Sequence, residues 1–191
     1  MSTYDQRRQL IRKYTKPNRR YNYKIVSFND YMSYDGSTVR RSSFIPYTFI
    51  NGERYWLLGS FWDYPRQILT DFGGSCQYED KKRLNLSPFG CAIKELHEEG
   101  KGLLTKPVLA QIALDDSITY LGQKNNERIY FTMVPLSLEE AKNLIIDINN
   151  KDYSKERLGP VDLYSESDLL SKKYLTSNFL TDFVDYLRGK W

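Results

Sequence analysis

The apolar positions along the chain fall into short blocks whose spacing changes from strand-like to helix-like and back. NYKIVSF (residues 22–28) reads as a strand, and SSFIPYTFINGERYWLLGSFW (42–62) as a hairpin of two apolar, aromatic runs joined at Asn51-Gly52. That dipeptide suits a tight turn because both of its positions need positive φ. QILTDFGG (67–74) reads as a strand running into a glycine pair. SPFGCAIKELHEEGKG (87–102) reads as a helix opened by Ser87 as cap and Pro88 at the first helical position, and ended by Gly100 or Gly102. VLAQIALD (108–115), SITYLG (117–122) and RIYFTMVPL (128–136) read as strands. Ser137 and Glu140 form a capping-box pattern ahead of LEEAKNLIIDI (138–148). A polar loop then leads to a short strand, VDLY (161–164), and a small turn or helix, SESDLLSKK (165–173). In the closing segment Phe179, Leu180, Phe183, Val184 and Leu187 lie at helical spacing and predict a helix docked on the sheet. YDQRRQLIRKY (4–14) predicts a short helix stopped before Pro17.

This order of strands and helices predicts one α/β or α+β sandwich with no repeat and no linker. A length of 191 residues fits a single domain, assigned to residues 22–191, preceded by a basic arm at residues 1–21. No apolar run approaches a membrane span, and the N-terminus lacks the apolar stretch of a secretory signal. The two cysteines, Cys76 and Cys91, are too few for a disulfide framework and have no metal-type CxxC spacing. Together these features predict a reducing, cytoplasmic setting.

The net charge of +4 is unevenly spread. Residues 1–24 carry +7 and the remainder −3. Arg7, Arg8, Arg12, Lys13, Lys16, Arg19 and Arg20 are interleaved with tyrosines, a composition suited to a phosphate backbone or another polyanion. A solvated arm that only caps the domain is the plain alternative.

The segment 87–102 raises the chemical question. Glu95, Glu98 and Glu99 occupy one sector of the helix, with Phe89, Ala92, Ile93 and Leu96 in the opposite and adjoining sector. Like charges at helical spacing repel, so a cation should relieve them. A divalent ion such as Mg²⁺, bound by carboxylates and substrate phosphates, is one solution, and the neighbouring Lys94 is another.

Together with the preceding GGSCQYED (73–80), this helix resembles the signature of the Nudix hydrolases, G-x5-E-x7-R-E-U-x-E-E-x-G-U, where U is aliphatic. Gly74, preceded by Gly73, matches the opening glycine, and Asp80, beside Glu79, the first acid. After an insertion at residues 81–86, Lys94 stands for Arg, and Glu95, Leu96, Glu98 and Glu99 match the core. The closing glycine of the signature falls at Lys101, between Gly100 and Gly102. The resemblance implies a Nudix-type α/β/α sandwich with a mixed sheet. It also implies Mg²⁺ or Mn²⁺ held by Glu95, Glu98 and Glu99, with Lys94 orienting the first of them, and hydrolysis of a diphosphate linkage in a nucleotide derivative.

Asp80 or Glu79 could add a further acid, and Glu156 or Glu127 a general base, although an exposed loop charge is the plainer reading of the last two. His97 is expected at the surface. Cys91 is expected as a small packing residue. Phe44, Tyr47, Trp56 and Trp62 are candidates to stack a base, with core packing the expected role for at least half of them. The composition, rich in Tyr, Asn, Lys and Ile, resembles products of A+T-rich genomes, among them the Nudix decapping enzymes of large DNA viruses. A nucleotide or capped RNA is therefore the expected partner, with RNA contact through the basic arm. The alternatives are an inositol pyrophosphate or similar polyanion as substrate, or a non-catalytic RNA-binding module.

Overall fold

In the computed structural model the structure describes residues 20–33, 39–63, 66–76, 87–114, 116–151 and 159–189. Eight strands form one sheet: β1 (Asn22–Val26), β2 (Val39–Ile50), β3 (Glu53–Asp63), β4 (Arg66–Thr70), β5 (Phe72–Gly74), β6 (Ile118–Lys124), β7 (Glu127–Pro135) and β8 (Asp162–Ser165). The order is β1-β6-β7-β2-β3-β4, with β5 added to β2 and β8 to β3. Every pairing is antiparallel except the central one, where β2 runs parallel to β7 from Val39 to Tyr47. The sheet is therefore mixed. At the predicted hairpin turn, Asn51 and Gly52 both take positive φ, 50° and 80°.

Side chains alternate cleanly between two cores. Phe44, Leu57, Leu121 and Tyr130 face one side, while Ile45, Trp56, Leu58, Tyr120, Ile129 and Phe131 face the other. Both faces are covered, which is why these strands read as continuous apolar runs. On the first face lie α1 (Phe28–Ser33), α2 (Pro88–Glu99), α3 (Thr105–Ala113) and α4 (Leu138–Asn150). On the second lie α5 (Glu166–Leu170) and α6 (Asn178–Arg188), whose Phe183 stacks on Phe131 with ring centroids 4.4 Å apart. The protein is an α/β sandwich with a mixed sheet.

Two expectations change. The run at 108–115 is not a strand: residues 105–113 form α3. Leu104, Val108 and Ile112 stand four apart and meet the first core, whereas Leu109 and Leu114 are exposed. The β-branched residues suggested a strand, but helical spacing and burial decide the outcome. Cys91 does pack in the first core, and it is also joined to Cys76 by a disulfide, with Cα atoms 5.4 Å apart. The cysteine count gave no sign of this bond, because a pair 15 residues apart in sequence becomes adjacent only once β5 meets α2, and the bond does not fit the reducing setting expected from that count. The expected helix at 4–14 lies outside the described residues. Among the described residues no helix is long and apolar enough to cross a membrane.

Candidate functional site

Helix α2 begins as its sequence dictates. Ser87 accepts a hydrogen bond from the Gly90 N–H at 3.1 Å, and Pro88 takes the first turn, where its missing N–H is not needed. Cys91, Ala92 and Leu96 are buried and fix the helix's rotation against β2 and β5. With that face inside, Glu95 and Glu99 lie along the flank toward β5, and Glu98 is left exposed. Gly100 caps the end, its N–H reaching the Leu96 carbonyl at 2.8 Å. The next residue, Lys101, takes φ 55° and Gly102 φ 75°. Lys101 thus adopts the left-handed backbone that a glycine favours, at the position where the signature has its closing glycine.

The glycine pair meets this flank at the end of β5. Gly73 donates its N–H to Glu99 Oε2 at 2.9 Å. A Cβ on Gly74 would lie 2.2 Å from Glu95 Cδ, and one on Gly73 would lie 2.1 Å from Ser43 Cβ. Gly73 has no room for a side chain because strand β2 itself stands in the way, whereas a side chain at Gly74 would push the Glu95 carboxylate aside.

Two residues not singled out from the sequence complete the arrangement. Arg41 of β2 forms a fork on Asp71, with Nη1 to Oδ2 at 2.5 Å and Nη2 to Oδ1 at 2.8 Å, and Nη2 also donates to the Gly73 carbonyl at 3.2 Å. Asp71 is fully buried. Burial works against the Arg41 charge, but Asp71, with Glu99 and Glu95 assisting, raises its pKa above the ordinary value. Burial pushes the Glu99 carboxyl up to about 9; Asp71 and Glu95 add to the rise, while Arg41 and the Gly73 N–H oppose it. An acidic residue inside the apolar run QILTDFGG was the available signal for Asp71, since a buried charge needs a partner.

Lys94 pairs with Glu98 at 3.5 Å, one helical turn away, and with Glu98 exposed this is a solvent-screened contact. Among the described residues, Lys94 meets the anionic flank from outside, and Arg41 meets it through the glycine turn. Among the described residues no three acidic, His or Cys side chains converge as a metal centre. The donors nonetheless suit a hard divalent cation: all are carboxylates, and Glu99 is a crowded acid whose charge a nearby cation would favour. Glu79, Asp80 and Glu156 lie outside the described residues, as do Arg7, Arg8, Arg12, Lys13, Lys16 and Arg19.

The remaining candidates separate by burial. Phe44 and Trp56 are fully buried and unavailable to a ligand; Trp56 donates its indole N–H to Glu166 at 2.9 Å. Trp62 is exposed, and Tyr47 is half-buried under the Arg54 guanidinium. His97 is exposed beside Thr105, as expected. Glu127 is not brought to the α2 carboxylates. It accepts hydrogen bonds from the Tyr21 hydroxyl at 2.9 Å and Arg40 at 3.1 Å.

Glu127 lies instead in a cleft of about 530 Å³ between Tyr21, the β6–β7 turn and the first turn of α6. Arg20, Arg40 and Lys124 line it, with Asn125, Asn178 and the Phe179 ring. An irregularity in the β2–β7 ladder between Val39 and Arg41 lets both Arg40 and Arg41 approach that ring, at 5.7 and 5.5 Å. The cleft therefore begins one residue from the Arg41 site.

No family model matches the sequence, and no curated protein matches it. Among solved structures, the chain is similar to a C. elegans Ap4A hydrolase (16% identity, 81% of this chain and 99% of that chain, TM-score 0.41). It is also similar to Shewanella oneidensis NrtR (11% identity, 80% of this chain and 64% of that chain, TM-score 0.41). The NUDIX domain of NrtR complexed with ADP ribose is a third (10% identity, 86% and 99%, TM-score 0.36).

Proposed function

We propose that this chain is a Nudix-type diphosphohydrolase that cleaves a diphosphate linkage in a nucleotide derivative, with the 5′ cap of mRNA as the leading case. The observation that carries the reading is the closure of Gly73 and Gly74 onto Glu99 and Glu95 of α2. Each of the signature's two described parts, read separately from the sequence, supplies what the other needs. The glycines remove the side chains that would bar the approach, and the helix supplies the carboxylates. The left-handed Lys101 supports the same alignment, because it keeps the backbone of the missing glycine.

Glu95, Glu98 and Glu99 would hold Mg²⁺ or Mn²⁺, which would neutralise phosphate charge and lower the pKa of a bound water. The Gly73 N–H fixes one Glu99 oxygen and leaves the other free. Burial favours the neutral form of Glu99, so a cation held there would compete with a proton for this carboxyl. Lys94, paired with Glu98, is a point charge rather than a planar fork. The cleft lined by Arg20, Arg40 and Lys124, with Glu127 and Asp182 also in its wall, is where the rest of a phosphate-bearing substrate would be gripped. The basic composition of residues 1–24 supports capped RNA over a small nucleotide.

The test is product release, with Mg²⁺ and then Mn²⁺, from capped RNA, free cap dinucleotide, nucleoside triphosphates, ADP-ribose and an inositol pyrophosphate. Glu98→Gln should remove most of the turnover and leave the fold intact, because its side chain is exposed. Wild-type turnover in that variant sinks the metal assignment. Hydrolysis of the inositol pyrophosphate alone changes the substrate class. RNA binding with no hydrolysis under either ion makes the protein a binding module.

A further inference from the structure

We propose that Arg41 is the positioning residue for the α2 glutamates, doing from strand β2 the work that the signature assigns to position 94. The consequence for turnover rests on the diphosphohydrolase reading; the positioning itself does not. Position 94 is a lysine here, and it is turned to Glu98 at 3.5 Å, on the exposed side of the helix. A lysine offers one charge on a flexible stem, whereas holding a carboxylate in one orientation calls for the rigid fork of a guanidinium. Among the described residues, the guanidinium that bonds the glycine turn lying against Glu95 and Glu99 belongs to Arg41.

Its hold is indirect and runs through the backbone. Two parallel bonds to Asp71 fix the start of the turn, and the bond to the Gly73 carbonyl fixes the peptide that leads into Gly74. The peptide on the other side of Gly73 carries the N–H that binds Glu99, and Gly74 lies directly against the Glu95 carboxylate. A displacement of the turn away from α2 would stretch the first contact, and one toward α2 would press on the second. Arg41 is itself held from behind by the Phe179 ring, 5.5 Å from its guanidinium carbon. Arg41 therefore sets where the turn stands, and the turn sets where two of the three glutamates point.

The experiment compares Arg41→Lys with Lys94→Met in the full chain by three readouts. The first is amide exchange of Gly73 measured by NMR without metal. The second is Mn²⁺ binding followed by its EPR signal. The third is kcat and KM on the substrate found above. In Arg41→Lys the Gly73 amide should exchange about tenfold faster, and Mn²⁺ affinity should fall by roughly 10- to 100-fold, the usual cost of losing an outer-shell partner. The loss of turnover, normalised to the folded fraction measured by circular dichroism, should sit in kcat with KM nearly unchanged; a loss that disappears on this normalisation would be one of stability alone and would overturn the assignment. Lys94→Met should move each readout less. If Lys94→Met costs more, or Arg41→Lys leaves Gly73 protected, the assignment is wrong.

Should Arg41→Lys fail to fold, Arg41→Met/Asp71→Leu removes both buried charges at once, a change that cores tolerate. A folded double variant with a fast-exchanging Gly73 supports the assignment, and one with a protected Gly73 overturns it. Wild-type protein that neither binds Mn²⁺ nor turns over any substrate defeats the hydrolase reading alone. Gly73 exchange still decides the role of Arg41.

Discussion

The two faces of the sheet are held by different physics. On the α6 face an aromatic cluster fills the centre: Phe183 lies on Phe131, with Tyr120 at 5.1 Å, Tyr23 at 5.7 Å and Trp56 at 6.1 Å around it, and the charged groups at its margin are paired, Asp182 with the Tyr23 hydroxyl and Asp185 with Lys172. Where β5 meets α2 the apolar floor ends in charge: the Arg41–Asp71 pair, with Arg41 resting on Phe179 from the α6 side, holds a glycine turn beside Glu95 and Glu99. The aromatic cluster can tolerate some imprecision because dispersion and burial are non-directional. The glycine turn depends on fixed hydrogen-bond directions. It is therefore the α6 face that should carry stability and the α2 face that should carry chemistry.

Phe183→Ala is the most direct way to break that division. It should cost about 3–5 kcal/mol of stability, the usual loss for a buried aromatic, read by urea unfolding. The fraction still folded should keep its Mn²⁺ affinity, and a proportional loss of affinity would mean the faces are not separable. Next in size is Cys91→Ser, which opens the loop between α2 and the end of β5. By the chain-entropy estimate a closed loop of 15 residues is worth about 3 kcal/mol. Reductant should lower the melting temperature of the wild type and leave that of the variant unchanged.

Acidity gives a further handle on the α2 site, although the carboxyl of Asp182 in α6 is also raised by its burial. The Glu99 carboxyl lies at about 9 in the folded protein against an ordinary 4.5, so the folded state holds this proton more tightly than the unfolded chain does. Its contribution to stability is complete below pH 4.5 and is lost as the pH rises through 9. In chelator the melting temperature should fall across that window, and saturating Mn²⁺ should flatten the fall. A flat profile in chelator would mean that Glu99 is not buried as described. The smallest effect belongs to the helix starts. Ser87→Ala should cost about 1 kcal/mol in thermal unfolding, the typical worth of an N-cap. Ser177→Ala should cost less, because Ser177 makes no side-chain cap bond to α6.

What was legible in the sequence follows the same line. Helix α6 announces itself through Phe179, Leu180, Phe183, Val184 and Leu187, because burial of one helical face writes a period into the chain. The Asn51-Gly52 turn, the Ser87 cap and the Ser137 cap are equally local and were readable. So were the glycine pair and the glutamates, since their pattern resembles a known signature. Arg41 and Asp71 were not, because 30 residues separate them and only the pairing of β2 with β5 brings them together. The Cys76–Cys91 bond was hidden for the same reason, and α3 because its β-branched residues imitate a strand.

The parallel pairing at the centre of the sheet has a consequence for biosynthesis. Arg41 sits in the strand that must join residues 128–135, although its other partners, Asp71 and Gly73, have already been made. During translation the glycine turn and α2 leave the ribosome before the strand that completes their platform. Contacts so distant in sequence form slowly, since a long loop must close first. The nascent chain therefore holds an acidic helix and a buried-to-be ion pair exposed to solvent until β7 arrives, and a pause in synthesis before residue 128 would prolong that exposure.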